Sequence, residues 1–128
     1  MNKTQSTVLF VSNDLMLCKA SSSVLRTAGY RVRATTPVHV AEAMHQNRYA
    51  AAVLCATLTQ QDSEQVVEKI QREQPEIPLL TLRVGLLGEA PHPASAFVVD
   101  MLRGAQALVV AVQSVTGAGG SKRQSVAS

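Results

Sequence analysis

The chain has 128 residues, of which 46% are apolar and 16% charged, and its formal net charge is +3. This length and composition predict one domain with its own core and exclude a disordered protein. Its apolar runs are too short for a membrane span or a signal-peptide core, which predicts a cytoplasmic protein with no membrane partner.

The basic excess lies in the tails. Lys3, Lys122 and Arg123 are terminal, and residues 7–115 carry nine basic and nine acidic side chains. A nucleic-acid-binding domain has a clustered basic surface, so no nucleic-acid partner is expected. The two cysteines and three histidines lack the spacing of metal ligands, and we predict no metal and no cofactor.

Five apolar segments alternate with amphipathic ones along the chain. The predicted strands are Val8–Val11, Tyr30–Ala34, Ala50–Cys55, Leu79–Leu82 and Ala96–Val99. The predicted helices run from about Leu15 to Ala28, from Pro37 to about Asn47, from the Asp62 region to just before Pro75, and from about Leu102 to Val115. Asp62 and Gln65 resemble a capping box for the third helix.

The third strand is the centre of this pattern. Residues 50–55, AAAVLC, form a continuous apolar run without alternation, which is typical of a strand buried on both faces. Such a strand lies inside a parallel sheet, and ligands of parallel sheets sit beyond the carboxyl ends of the strands. Cys55, the last residue of the run, is therefore expected to face any functional site.

The alternation predicts an α/β fold with a five-stranded parallel sheet between helical layers. Right-handed crossovers favour a three-layer αβα sandwich with the flavodoxin-like strand order 2-1-3-4-5. The predicted domain covers residues 7–116. Residues 1–6 form an N-terminal tail, and residues 117–128 form a flexible Gly/Ser-rich tail.

Several segments resemble the receiver domain (CheY-like) of two-component response regulators. They are VLFVSND, LRTAGYRVRATT, NRYAAAVL, QPEIPLLTL and AFVV, and the resemblance spans about residues 7–115. The family transfers a phosphoryl group to an aspartate that ends the third strand. An acidic pair after the first strand holds Mg²⁺, and a hydroxyl residue and a lysine after the fourth and fifth strands complete the site.

At each of these positions the sequence departs from the family. Ser12 and Asn13, beside Asp14, stand where the family has its acidic pair, and Cys55 stands where it has the phosphoacceptor. The family's hydroxyl position is occupied by Arg83, or by Thr81 in a register shifted by two. Its lysine position is occupied by Asp100. The segment between the fourth and fifth strands is also short, so the family's fourth helix is expected to be shortened or lost.

The resemblance therefore implies a pseudo-receiver. Neutral groups stand where Mg²⁺ needs carboxylates, and Asp100 would repel a phosphate. We predict a phosphorelay-type signalling module that is not an enzyme, has lost phosphorylation and acts by protein–protein interaction. Arg83 and Asp100 have two interpretations, which stay open: they form an ion pair that locks the site in one state, or they are two solvated charges at loop ends.

Two alternatives stay open. A receiver could be regulated by Cys55 redox chemistry or by a small ligand, although a buried free cysteine is more often a packing residue. Cys18 is interpreted as a packing residue as well. A small flavodoxin-like enzyme or nucleotide binder belongs to another class, but no glycine-rich phosphate loop follows the first strand.

The last helix carries the predicted interface. Its residues 108–112, LVVAV, are apolar almost all round, whereas a helix on a sheet needs one apolar stripe. We expect a partner protein or a second copy to cover the additional apolar side chains. The candidate interface residues are Leu86, Leu87, Leu102, Ala105, Val109 and Val112.

Overall fold

The computed structural model describes residues 7–14, 16, 19–55, 58–83 and 95–116. The strands are Thr7–Val11 (β1), Arg31–Thr35 (β2), Ala51–Leu54 (β3), Leu79–Arg83 (β4) and Phe97–Asp100 (β5). The α-helices are Lys19–Thr27 (α1), Val40–Gln46 (α2), Gln60–Glu73 (α3) and Ala105–Thr116 (α4). Two 3-10 turns, Pro37–His39 and Met101–Arg103, precede α2 and α4.

The five strands form one parallel sheet in the order β2-β1-β3-β4-β5. The predicted fold class and strand order are confirmed. The register places Val11 beside Leu54, Leu54 beside Thr81, and Arg83 beside Asp100. The carboxyl ends of β1, β3, β4 and β5 therefore meet at one edge of the sheet.

The central strands are buried on both faces because helices cover each side. On one side, Phe10, Val53 and Leu80 pack with Leu108 of α4 and with α1. On the other side, inward side chains of α2 and α3 cover alternate residues of the same strands. All four residues of β3 are buried, as the continuous apolar run predicts.

The structure corrects the predicted start of α3. Thr59 is the N-cap, and its Oγ1 accepts a hydrogen bond from the Asp62 backbone at 3.0 Å. Asp62 therefore lies inside the first turn and is not the cap. The threonine hydroxyl at the N-cap accepts a hydrogen bond from an otherwise unpaired amide of the first turn, as an aspartate carboxylate at that position would.

The last helix is also interrupted. The sequence predicts one helix from Leu102, but the chain forms a 3-10 turn at Met101–Arg103 and begins α4 only at Ala105. Gly104, with φ of +98°, separates the two elements in a conformation that favours glycine.

Within the described ranges, none of the helices combines the length and the apolar character that a bilayer span requires.

Candidate functional site

The loop after β1 uses its polar groups within itself. Ser12 is completely buried, and its Oγ both accepts a hydrogen bond from the Asp14 amide and donates one to the Asp14 carbonyl, each at 3.0 Å. The Asp14 carboxylate accepts the amide of Met16 at 3.0 Å. Both side chains therefore stabilise the turn that follows the strand.

Asn13 connects this loop to α3. Its Nδ2 donates to the Asp62 carboxylate at 3.0 Å, across 49 residues of sequence. This hydrogen bond is the main reason that the pKa of Asp62 lies below its usual value, and the Thr59 hydroxyl contributes in the same direction. Asp62 is a site residue that the sequence interpretation missed. Nothing in the sequence pairs two polar residues so far apart.

Cys55 follows β3 and is 7% exposed. Its amide donates to the Val11 carbonyl at 3.0 Å, and its carbonyl accepts the Leu58 amide at 3.2 Å. The side chain belongs to the apolar cluster that also contains Val53. The thiol is thus a buried group at the end of the central strand. Cys18 lies outside the described residues.

Arg83 and Asp100 are direct neighbours on β4 and β5. The Asp100 carboxylate accepts the Leu102 amide at 2.9 Å and so caps the following 3-10 turn. Among the described residues, no ion pair joins Arg83 to Asp100, so the locking pair is not the one of the two weighed alternatives that is seen here. The Arg83 Nε is buried and has no hydrogen-bond partner within this part of the chain.

Thr81, the alternative hydroxyl position, lies inside β4. Its Oγ1 shares a hydrogen bond with the hydroxyl of Ser95.

The carboxylates around this edge are separately engaged. Asp14 and Asp100 cap turns, and Asp62 accepts from Asn13. Across the described ranges, no group of three His, Cys, Asp or Glu side chains is placed to hold a metal ion. In the described site, the three carboxylates have local hydrogen-bond partners and lie around a buried thiol, while the buried Arg83 Nε has none.

The predicted interface needs correction at two residues. Val109 and Val112 are 6% and 0% exposed, because they pack in the core on the α1/α4 side of the sheet. Leu102 is 71% exposed, as an interface residue must be before a partner binds. Ala105 begins α4, but its side chain is not among those described, and Leu86 and Leu87 lie outside the described residues.

The exposed apolar side chains of this region are different from those predicted. Val110 of α4 is 58% exposed, and Phe97 and Val98 of β5 are 43% and 49% exposed. The three side chains line one groove between β5 and α4. Because residues 108–112 are all apolar, the run gave no indication of which valine faces solvent.

No protein-family model matches the chain, and no curated protein matches it. Solved structures do. A putative response regulator from Chloroflexus aurantiacus has a TM-score of 0.74 at 20% identity, covering 89% of this chain and 99% of its own. A receiver protein of a response regulator from Sinorhizobium medicae has a TM-score of 0.71 at 19% identity, covering 89% and 96%.

A third similar structure is the receiver domain of a sensor histidine kinase from Pseudomonas aeruginosa, described with a magnesium ion in its active-site cleft. Its TM-score is 0.72 at 16% identity, and the alignment covers 89% of this chain and 99% of that one. The chain therefore has the fold of response-regulator receiver domains.

Proposed function

We propose that this chain is a pseudo-receiver: a cytoplasmic signalling module that has lost phosphorylation, is not an enzyme and acts by binding a protein. The observation that carries the proposal is the chemistry at the carboxyl edge of the sheet. Ser12, Asn13 and Cys55 stand at the positions where receivers place the metal-binding pair and the phosphoacceptor.

Electrostatics supports the loss of phosphorylation. Mg²⁺ needs hard oxygen ligands, normally with at least one carboxylate, and a phosphoryl group brings nearly two negative charges. Ser12 and Asn13 are neutral, and their hydrogen bonds hold them to their own loop and to α3. Asp100 adds a negative charge where the family supplies a lysine. A phosphorylated state would thus lack the metal ion and the lysine that compensate its charge in the family.

Burial also bears on the alternative in which Cys55 is a redox sensor. Reactive cysteines are exposed and lie in an electropositive setting, whereas Cys55 is 7% exposed in an apolar cluster. The proposed role of Cys55 is therefore packing.

Binding through a surface is supported by the groove between β5 and α4. Large exposed apolar side chains that cluster on a monomer usually mark an interface. The described residues contain six such side chains, and four of them, Phe97, Val98, Leu102 and Val110, fall within fourteen residues of sequence. The proposed contact with a partner protein uses this region.

The test is phosphorylation itself. The chain is incubated with Mg²⁺ and a small phosphoryl donor such as acetyl phosphate, and its intact mass is measured. We expect no phosphoryl adduct. The matched control carries Ser12→Asp, Asn13→Asp, Cys55→Asp, Arg83→Thr and Asp100→Lys, which rebuilds the family's site on the same fold. An adduct on the unmodified chain would overturn the proposal, and circular dichroism checks that the control remains folded.

A further inference from the structure

The outer side of β2 carries backbone groups that face away from the sheet. β2 is an edge strand and pairs in parallel with β1. The Thr35 carbonyl accepts the Ser12 amide at 3.0 Å, so Thr35 and the alternate residues before it direct their backbone groups toward β1. Val32 and Ala34 therefore direct theirs outward. Within the described ranges, these outward groups have one hydrogen bond, from the Arg26 guanidinium to the Val32 carbonyl at 3.4 Å.

The side chains of β2 give this edge a positive charge. Arg31 and Arg33 share one face of the strand, because side chains alternate along it. Val32 and Ala34 occupy the other face, where they pack against the core on the α1/α4 side. Neither Arg26 nor Arg33 belongs to the two ion pairs that the described residues form. The edge thus combines outward backbone groups with a cationic face.

These charges determine which strand can be added to the edge. A second copy of β2 would bring Arg31 and Arg33 close to their own equivalents, and like charges on neighbouring strands oppose pairing. A strand with carboxylates at alternate positions would place them beside the two arginines, while its main chain bonds to Val32 and Ala34. The edge is therefore unfavourable for self-association and complementary to an acidic strand.

We infer that the outer edge of β2 binds an extended acidic segment of a partner protein, which adds to the sheet as a further strand. The contact from Arg26 to the Val32 carbonyl is exposed and long for a hydrogen bond, so an amide of the added strand can replace it. This surface lies at the opposite edge of the sheet from the groove between β5 and α4. The inference thus goes beyond the proposed function and does not depend on that groove.

Fluorescence anisotropy with two labelled peptides tests the inference on the full chain. One peptide of about eight residues alternates Glu and Thr, and this length and pattern suit an added strand. The other alternates Glu and Pro, which keeps the charge but removes half of the amides that a strand needs. We expect saturable binding of the Glu–Thr peptide below about 1 mM, and binding of the Glu–Pro peptide that is at least about tenfold weaker.

Two substitutions separate the charge from the backbone. Arg33→Glu should weaken binding of the Glu–Thr peptide at least about tenfold, because repulsion replaces attraction. Arg103→Glu is the matched control, since it makes the same change of charge in the exposed turn beside the opposite edge, and it should change the affinity by less than about twofold. Ala34→Pro removes an outward amide that does not pair with β1, so it should abolish binding, and circular dichroism checks that it folds.

Hydrogen exchange of the unsubstituted chain provides a readout that needs no variant. A saturating amount of the Glu–Thr peptide should slow exchange of the Val32 and Ala34 amides at least about tenfold, because the added strand bonds to them. Unchanged exchange, absence of saturable binding, equal binding of the two peptides, or an affinity that Arg33→Glu leaves unaltered would overturn the inference. None of these results bears on phosphorylation, so the proposed function is judged separately.

Discussion

The buried hydroxyl group of Ser22 provides a quantitative test of how α1 packs. Ser22 is 3% exposed, and its Oγ has no hydrogen-bond partner in the described part of the chain. A buried polar group without a partner costs about 1–3 kcal/mol of folding free energy. Ser22→Ala removes that cost and leaves the fold of the helix unchanged.

The size of the effect is separated from helix propensity by a neighbouring residue. Alanine is a better helix former than serine by about 0.5 kcal/mol at any interior position. Ser23 is exposed in the same helix, so Ser23→Ala should gain only this amount. Ser22→Ala should raise the free energy of unfolding by at least about 1 kcal/mol more than Ser23→Ala does.

Urea unfolding followed by circular dichroism measures both variants. For a domain of this size the m-value is about 1–2 kcal/mol per molar, so Ser22→Ala should move the midpoint up by roughly 1 M. If Ser22→Ala is no more stable than Ser23→Ala, the hydroxyl has a partner in solution, and the packing described for α1 is wrong.

Three further predictions concern single groups. Asn13→Ala should raise the pKa of Asp62 toward its usual value, which carboxyl NMR measures. In the unsubstituted chain, the stability that the lowered pKa provides is present above pH 3.8 and is lost as the pH falls through the lower folded value. An unchanged pKa in the variant would show that the hydrogen bond to Asn13 is absent. Burial raises the pKa of Tyr49 above its usual value of 10, so the stability that the neutral phenol contributes is present below pH 10 and is lost as the pH rises through the raised folded value. Absorbance titration in a Tyr30→Phe background, in which Tyr49 is the one remaining tyrosine, measures this pKa. Ionisation at or below pH 10 would contradict the prediction. Gly104→Ala should lower the free energy of unfolding, measured in urea, by about 1 kcal/mol. The cause is the positive φ of residue 104 and not a steric clash, because no atom lies within 4 Å of the added carbon. Equal stability would mean that the turn adopts another conformation.

The fold could be predicted from the sequence because its signals are local. The continuous apolar residues of β3 require burial on both faces, and the alternation of strands and helices then leaves few topologies. Gly29, with φ of +104°, ends α1 where the sequence places the stop. Each of these features depends on residues that are neighbours in the chain.

The site was only partly predictable because its contacts are not local. The hydrogen bond from Asn13 to Asp62 joins the loop after β1 to the first turn of α3, and these two segments share no pattern in sequence. Val109 is buried and Val110 is exposed, and a run made only of apolar residues does not distinguish the two. For the start of α4 a signal was available, since Gly104 lies near the predicted start and a glycine lowers the helical tendency there.

A pseudo-receiver requires that the carboxyl edge of the sheet does not bind the ligands of phosphoryl transfer. We would titrate the chain with Mg²⁺ to about 10 mM and then with beryllofluoride, a phosphoryl mimic, and follow the binding by NMR. The amides of Asn13, Cys55 and Arg83 report on three strand ends of the site. We predict that none of them shifts. Saturable shifts at these amides would contradict the claim and would show that Asp14 or Asp100 supplies a metal site.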